Sequence, residues 1–393
     1  MTPPLNGITI LDLTRVLSGP YCTMLLADMG ARVIKVEQPG KGDDTRAWGP
    51  PFMDGESAYF LSINRNKESV TLDFKRPEGR AILDRLIAKS DVLIENFRPG
   101  TLAKLGLDHP ALAPKHPRLV YCSISGFGQT GPRQREPGYD AVIQAEGGLM
   151  SITGPSDGQP YRLGVAIGDI VTGMFAAQGV LLALLSRDRT GAGQLVDIAM
   201  LDSVAALLTY QAGIYFATGT APHRIGNRHP TIVPYETFAA SDGDFVLAVG
   251  NDEQWRRFCA VAGLELDERF ATNQLRVTRY DELKPILVGC LQRETRREWI
   301  ARLTAAGVPC GAVRDLQEVF TDPQLSARDM IVSAEHATLG ALRVLGTPIK
   351  LSETPGSVRT APPTLGQHTE KVLQDDLGLS LADIAVLRHQ RAI

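Results

Sequence analysis

Apolar and polar positions along the first 130 residues alternate between two patterns. Short runs rich in β-branched and apolar side chains predict buried strands at residues 8–13 (ITILDL), 32–37 (RVIKVE), 69–74 (SVTLDF), 91–97 (DVLIENF) and 118–127 (RLVYCSISGF). Helical spacing predicts helices at residues 21–29, 77–90 and, more briefly, 100–107. A strand–helix–strand order makes consecutive strands parallel. The chain is therefore predicted to be an α/β protein with an open parallel sheet.

The pattern changes near residue 225. A hairpin turning on SDGD (residues 241–244) and a helix opening near Asp252 predict a smaller α+β domain. The tail after this domain is extended and rich in proline before a last helical pattern. We expect a large domain at residues 1–200, a linker at 201–224, the small domain at 225–330, and a return linker with a C-terminal segment that packs on the large domain at 331–393.

Composition narrows the possible partners. The 393 residues carry a net charge of -3 and 44% apolar residues, so we expect neither nucleic acid nor a membrane surface as a partner. The five cysteines form no CxxC pair and no cluster with metal spacing, which predicts reduced thiols, a cytoplasmic location and no metal. The N-terminal residues lack the pattern of a signal peptide. The long apolar stretch at 162–187 contains glycines and is predicted to be a buried helix.

Three loops come after predicted strands: residues 14–20 (TRVLSGP), 95–100 (ENFRPG) and 125–132 (SGFGQTGP). Since the carboxyl ends of parallel strands meet at one edge, these loops should converge on one crevice. Four arginines in loops near these strand ends are candidates for anion binding, although solvation is the usual fate of arginine: Arg15, Arg46, Arg65 and Arg98. Trp48 and Tyr59 are either ordinary packing residues or the walls of a pocket.

Gly126, Gly128 and Gly131 form a G-x-G-x-x-G pattern after a strand, which is typical of a dinucleotide loop. Pro132 comes directly after the last glycine, and the next residues do not open an amphipathic helix. We therefore expect no NAD, and we interpret the glycines as a tight turn or a close approach of backbone to a ligand.

Asp169 is the carboxylate near the start of the apolar stretch. Aspartate is among the best N-cap residues, so we expect Asp169 to cap a helix that begins there. The same position stabilises the carboxylate as an anion. An ionised, partly desolvated carboxylate is also what covalent catalysis needs, and the two roles are compatible.

Several long blocks, in a fixed order over essentially the whole chain, resemble the class III CoA-transferases. They include LNGITILDLTRVLSGPYCTMLLADMGARVIKVEQPGKGDDTRAWGPPF, FLSINRNKESVTLDFKRPEGR, DVLIENFRPGTLAKLGL, YCSISGFGQTGPRQREPGYDA, GVAIGDIVTG and TPIKLSETP. That family contains formyl-CoA transferase, carnitine CoA-transferase and α-methylacyl-CoA racemase. The resemblance implies a Rossmann-like large domain, a smaller domain, an interlocked homodimer, and coenzyme A or acyl-CoA as substrate.

The resemblance also implies roles for individual residues. Asp169 matches the family's nucleophile, which carries the acyl group as a mixed anhydride and then CoA as an aspartyl thioester. The implied CoA-binding residues are Val16, Leu17, Ser18, Leu72, Asp73, Asn96, Phe97, Arg98, Lys104, Tyr139 and Asp140. The implied substrate pocket consists of Arg15, Arg46, Trp48, Tyr59 and Arg65, with Gly250 and Asn251 in a lid segment, AVGNDEQ, that has a single glycine.

The blocks WGPPF, FLSINRNK, GYDAV and IVPYETF resemble the branch that moves CoA from succinyl-CoA to small dicarboxylic acids such as glutarate, itaconate, malate or mesaconate. Formyl-CoA:oxalate transfer stays open, because GDDTRAWGPP also resembles that branch. A racemase or epimerase is a minor alternative, since Tyr139 stands where the racemases carry an acid/base histidine. A non-catalytic CoA-binding protein, with Asp169 as a cap only, is the alternative outside the enzymes.

Overall fold

The computed structural model describes residues 2–393. The strands are β1 (Thr9–Asp12), β2 (Arg32–Glu37), β3 (Phe52–Met53), β4 (Glu56–Ser57), β5 (Lys67–Thr71), β6 (Val92–Glu95), β7 (Val120–Ser125), β8 (Leu195–Ala199), β9 (Tyr235–Ala239), β10 (Asp244–Ala248), β11 (Cys310–Ala312), β12 (Ile331–His336) and β13 (Gly340–Leu345).

The α-helices are α1 (Ser18–Asp28), α2 (Ala58–Ile63), α3 (Pro77–Ala88), α4 (His109–Leu112), α5 (Asp140–Glu146), α6 (Leu149–Ile152), α7 (Ile167–Thr190), α8 (Met200–Ala206), α9 (Thr209–Thr218), α10 (Asp252–Ala262), α11 (Asn273–Thr278), α12 (Tyr280–Leu291), α13 (Arg296–Ala305), α14 (Leu316–Phe320), α15 (Pro323–Ala327), α16 (Thr369–Asp375) and α17 (Leu381–His389). Short 3₁₀ helices lie at Asp44–Ala47, Ala103–Leu105 and Glu268–Phe270.

A six-stranded sheet organises the first part of the chain. Its order is β5-β2-β1-β6-β7-β8, and every neighbouring pair is parallel. Counted in chain order, these strands run third, second, first, fourth, fifth, sixth, which is the Rossmann order. The direction of winding reverses between β1 and β6. The predicted α/β fold with a large parallel sheet is confirmed, and the reversal marks where such sheets bind ligands.

Helices cover both faces of the sheet. Successive residues of a strand point to opposite faces, so neighbouring residues pack in two different cores. On one face, Leu11 and Leu93 pack in a core with residues of α3, α16 and α17. On the other face, Ile10 and Ile94 pack in a core with residues of α1 and α7. A strand buried on both sides reads as a continuous apolar run, which is why β1 and β6 are recognisable in the sequence.

Helix α7 is the predicted buried helix, and it is 24 residues long. By length and composition alone it could span a membrane, and about half of its apolar window is buried in the fold. It crosses α1 at Gly173, where an added Cβ would lie 2.6 Å from the carbonyl oxygen of Ser18 and 3.1 Å from the ring of Tyr21. A glycine is required here because the backbones of the two helices approach so closely.

The chain divides into two compact units. The first comprises residues 1–149, 163–210 and 323–393, and the second comprises residues 150–162 and 211–322. These bounds differ from the predicted ranges at 150–162, 201–224 and 323–330. The second unit holds the antiparallel sheet β11-β10-β9, with the predicted hairpin around residues 240–243, and a core of its own around Phe245, Trp255 and Trp299.

Two predicted elements are displaced in the structure. The strand expected at 69–74 spans Lys67–Thr71: Leu72 donates its N–H to the carbonyl of Glu37 as the last ladder bond, and the N–H of Asp73 bonds the carbonyl of Ala392 instead. The short helix expected at 100–107 is only a 3₁₀ turn that ends at Gly106, a residue in the left-handed conformation. The predicted strands at 32–37 and 91–97 and the helix opened by Pro77 are confirmed.

Candidate active site

A cavity of about 180 Å³ lies at the carboxyl ends of β1, β6 and β7. We call it the reaction cavity. The three loops that the sequence predicted to converge all contribute to it, and so does the start of α7. Its lining residues are Arg15, Val16, Ser18, Asp44, Asn96, Phe97, Arg98, Pro99, Ile124, Ser125, Gly126, Glu136, Pro137, Gly138, Tyr139, Asp169 and Met200.

Reciprocal hydrogen bonds join the loops after β1 and β6 at the point of strand reversal. The backbone N–H of Arg15 donates to Oδ1 of Asn96 (2.9 Å), and Nδ2 of Asn96 donates to the carbonyl of Arg15 (2.7 Å). A second close approach joins Gly126 and Gly138, where an added Cβ on Gly126 would lie 2.7 Å from the Cα of Gly138. The walls of the reaction cavity are thus held by backbone contacts that side chains would disrupt.

Asp169 is the third residue of α7, and it is not the N-cap. The helix begins at Ile167. Its N-cap residue is Ala166, whose side chain makes no capping hydrogen bond. The expectation that Asp169 caps its own helix is therefore wrong. Its carboxylate instead lies near Ser18, whose hydroxyl and backbone N–H favour the anion and lower its pKa. Since Ser18 is the first residue of α1, the carboxylate faces the positive end of a different helix.

Asp140 accepts a hydrogen bond from a free backbone N–H at the N-terminus of α7, as an N-cap side chain usually does. Its Oδ1 accepts from the backbone N–H of Gly168 at 2.8 Å, and its Oδ2 accepts from Nε2 of Gln144 at 2.7 Å. Gly168 also suits this contact, because a Cβ there would lie 3.0 Å from Oδ1 of Asp140. A second carboxylate is thereby fixed beside the first.

Burial and the neighbouring charge of Asp140 raise the pKa of Asp169 to about 7, against the two hydrogen bonds from Ser18 that lower it. The carboxylate is poorly solvated yet available as an anion near neutral pH. A partly desolvated anion of this kind is a stronger nucleophile than an exposed aspartate.

An apolar wall lies next to Asp169. Leu17 is buried in a small cluster against which Tyr59 and Ile170 pack. The Trp48 and Tyr59 rings meet edge to face with centroids 5.2 Å apart. Burial, with smaller effects of the charges of Asp169 and Asp140, raises the pKa of Tyr59 to about 12, so its hydroxyl remains a hydrogen-bond donor near both carboxylates.

A second cavity of about 430 Å³ shares Arg15, Asp44 and Phe97 with the reaction cavity. Leu72 and Asp73, both expected at the CoA site, line it. Three lysines that the sequence patterns did not single out also line it: Lys41, Lys75 and Lys35, the last of which is buried and paired with Asp43. The nearest signal for Lys75 was its position two residues after Asp73, directly after a strand, where a parallel sheet presents its loops.

Arg65 and Arg46 line neither cavity. Arg65 is 3% exposed and forms two hydrogen bonds with the carboxylate of Asp28, at 3.1 and 2.7 Å. Arg46 forms two hydrogen bonds with Glu37, at 2.7 and 2.8 Å, and its guanidinium lies 3.6 Å from the centroid of the Phe60 ring. This placement corrects the expectation that these two arginines face the substrate, because both guanidinium groups are paired with carboxylates of the fold.

The other expected residues lie in three different settings. Lys104 is exposed on the 3₁₀ turn after β6, and Asp140 lies behind the reaction cavity rather than in its lining. Gly250 and Asn251 belong to the second unit, where Asn251 caps α10 by accepting from the N–H of Gln254 at 2.9 Å. Within residues 2–393, no three His, Cys, Asp or Glu side chains come together as metal ligands would.

Residues 5–369 match the family model described as CoA-transferase family III. The chain belongs to this family. Within CoA-transferase family III, the succinate–glutarate CoA-transferase of Agrobacterium fabrum is 45% identical over 382 residues, covering 95% of this chain and 96% of the relative. The acetyl-CoA:oxalate CoA-transferase of Acetobacter aceti is 42% identical over 353 residues, covering 89% of each.

The fold of the family is also seen in a solved structure. The crystal structure of a CaiB/BaiF family protein from Brucella suis aligns with a TM-score of 0.86 and 42% sequence identity, covering 96% of this chain and 100% of that one. The similarity therefore extends over nearly the whole chain and is not limited to the parallel sheet.

Proposed function

We propose that this CoA-transferase moves CoA from a donor acyl-CoA, succinyl-CoA in the first instance, to a small dicarboxylic acid, with Asp169 as the nucleophile. The observation that carries the proposal is the placement of Asp169: a half-buried carboxylate that lines the reaction cavity and faces the N-terminus of α1. The similarity to a succinate–glutarate CoA-transferase over nearly the full length supports the substrate class.

The steps balance without a base or an external energy source. The Asp169 carboxylate attacks the thioester carbonyl of the donor. This forms a mixed anhydride between Asp169 and the acyl group, and the CoA thiolate is the leaving group. The thiolate then attacks the Asp169 carbonyl, which forms an aspartyl thioester and releases the donor acid as a carboxylate. The acceptor carboxylate attacks this thioester, and the thiolate finally attacks the acceptor carbonyl to give the new acyl-CoA and free Asp169. Every nucleophile is already an anion, so no proton has to be moved.

Ser18 supports two steps of this chemistry, the attack by the Asp169 carboxylate and the later attack of the thiolate on the Asp169 carbonyl. Its N–H and hydroxyl favour the ionised form of Asp169 before attack. When the thiolate adds to the Asp169 carbonyl, negative charge develops on the same oxygen, and the same donors at the positive end of α1 stabilise it.

The two contiguous cavities suit the two ends of coenzyme A. The pantetheine thiol reaches Asp169 in the reaction cavity, and the nucleotide occupies the second cavity, where Lys41 and Lys75 can pair with phosphates. Arg98, which lines the reaction cavity, is a further phosphate partner, as is the exposed Lys104. Among the arginines expected at the substrate pocket, Arg15 alone lines these two cavities.

An acceptor panel tests the proposal. The protein is incubated with succinyl-CoA and glutarate, itaconate, malate, mesaconate or oxalate, and new acyl-CoA is detected by mass spectrometry. We expect transfer to the longer dicarboxylates. Transfer to oxalate alone would favour the oxalate branch, which the similarity to an acetyl-CoA:oxalate CoA-transferase keeps as the second candidate. Exchange of α-hydrogen for deuterium in a branched acyl-CoA, without an acceptor, would instead indicate a racemase.

The rate of acyl-enzyme formation at saturating acyl-CoA should rise as pH increases through about 7. Burial and Asp140 raise the pKa of Asp169 to about 7, and only the ionised form attacks, so each pH unit below this value should cost about tenfold in rate. Asp140→Asn removes the neighbouring charge and should move the midpoint to lower pH. Rapid-quench measurement of the hydroxylamine-trapped adduct checks both, and an unmoved midpoint would contradict the assigned cause.

We further propose that the enzyme acts as an interlocked homodimer in the cytoplasm. Helix α7 leaves a stripe of apolar side chains exposed on one face, Met174, Leu181, Leu182 and Leu185, which a second copy of the chain would cover. All five cysteines are free, as a reducing compartment allows. Light scattering on the purified protein should give twice the mass of the 42.5 kDa chain.

A further inference from the structure

Glu95 ends strand β6 and is 5% exposed. It lines a third cavity, of about 240 Å³, which shares Arg98 and Pro99 with the reaction cavity. The expected CoA-binding residues Asn96, Phe97 and Arg98 come directly after it in the chain. A buried carboxyl group therefore lies at the base of the loop that forms one wall of the reaction cavity.

The carboxyl group is tied to that loop and to the neighbouring strand. Its Oε2 accepts the backbone N–H of Phe97 at 2.8 Å, and its Oε1 accepts a short hydrogen bond from the hydroxyl of Ser123. Nε2 of Gln129 in turn donates to Oγ of Ser123 at 2.8 Å. Glu95 therefore accepts from two donors, the Phe97 N–H and the Ser123 hydroxyl, and both hydrogen bonds are stronger when the carboxylate is ionised.

The surrounding charges do not neutralise Glu95. Asp197 of β8 is a nearby like charge, and it accepts the backbone N–H of Gln129. Arg98, Asp108 and His109 line the same cavity from the loop and from α4, and Tyr121 and Cys122 of β7 lie close enough that Glu95 contributes to raising their pKa values. Burial, with Asp197 adding to it, raises the pKa of Glu95 to about 7, although Ser123 and the N–H of Phe97 favour the anion.

We propose that Glu95 is a positioning residue whose ionised carboxylate holds the loop at residues 96–98 in the shape that binds acyl-CoA. The inference rests on the proposed function, because it takes this loop as part of the CoA site. Protonation removes the charge from the acceptor of both hydrogen bonds, those from the Phe97 N–H and the Ser123 hydroxyl, so the loop is held less firmly. Affinity for CoA should consequently rise as pH increases, and the chemistry at Asp169 should be affected much less.

Isothermal titration calorimetry with CoA, on the full-length protein at about pH 6 and about pH 8, tests this. Wild-type affinity should increase by roughly fivefold more over this interval than that of Glu95→Gln, which mimics the protonated group. Because CoA and Asp169 titrate equally in both proteins, the difference isolates Glu95. At about pH 8, Glu95→Gln should raise KM for acyl-CoA several-fold with kcat nearly unchanged.

Two further variants test the cause of the pH dependence and control for the loss of a carboxylate. Ser123→Ala removes one donor to the carboxylate, so its pH transition should move to higher pH than in the wild type. Glu353→Gln changes an exposed carboxylate of the same unit and should retain the wild-type profile. Binding by Glu95→Gln with the wild-type pH dependence, or loss of kcat with KM unchanged, would overturn the role of Glu95 alone. A wild-type protein that binds no CoA at either pH would contradict the proposed function itself.

Discussion

Asp169→Ala is expected to reduce CoA transfer by about 10⁴-fold or more while CoA binding is retained. The reason is the proposed covalent route: without this carboxylate, neither the anhydride nor the aspartyl thioester can form. CoA binding should persist, because the cavity residues expected to hold the cofactor belong mostly to the loops after β1, β5 and β6. Transfer is measured by the appearance of a new acyl-CoA, and binding by calorimetry.

Asp169→Asn provides an isosteric check on folding, since it preserves the shape of the side chain. It should be as inactive as the alanine variant. Asp188→Ala is the matched control, because Asp188 is an exposed aspartate in the last turns of the same helix. That variant should transfer CoA at the wild-type rate. Substantial transfer by both variants of Asp169, or an aspartyl hydroxamate at another residue in the wild type, would remove Asp169 from the mechanism.

Gly173→Ala is expected to destabilise the protein by about 1–3 kcal/mol and to slow acyl-enzyme formation by about 10²-fold. The new Cβ would lie 2.6 Å from the Ser18 carbonyl oxygen, which is backbone and cannot rotate away. Helices α1 and α7 would have to separate. Because Asp169 lies near Ser18 at this crossing, the separation would also displace the proposed nucleophile from the N-terminus of α1. Thermal denaturation and single-turnover trapping measure the two effects.

Gly289→Ala is the control for this substitution. Gly289 also lies inside a helix, α12, but an added Cβ would meet no atom within 4 Å. There the alanine should be neutral or stabilising by up to about 1 kcal/mol, as is usual for an open helical glycine. If Gly173→Ala were as benign as Gly289→Ala, the close crossing could not be what positions Asp169.

The sheet and the convergence of its loops were predictable from local patterns. Strands β1, β2 and β6 are buried on both faces, so their apolar runs are continuous, and the strand–helix alternation fixes their parallel direction. The three loops then had to meet at one edge. The residues after the G-x-G-x-x-G stretch predicted that no helix follows it directly. In the structure no helix begins until Asp140, and Gly126 packs against Gly138.

The assignment of polar side chains was less predictable, because their partners are distant in sequence. The group that satisfies the N-terminus of α7 is Asp140, 28 residues before Gly168, and no local pattern connects them. In the same way, Arg65 pairs with Asp28, 37 residues away. A loop arginine committed to a buried carboxylate and one that faces a ligand look identical until the fold brings their neighbours together.

The meeting of Asp169 with the first turn of α1 also bears on the order of events. While the aspartate is free, its own charge fills the electropositive spot at that helix end. Once the side chain is esterified to sulfur it is neutral, and the spot becomes attractive to another carboxylate. Under the proposed mechanism, the donor acid and the acceptor acid would then take turns in one location, and we expect ping-pong kinetics in which the first product departs before the second substrate arrives.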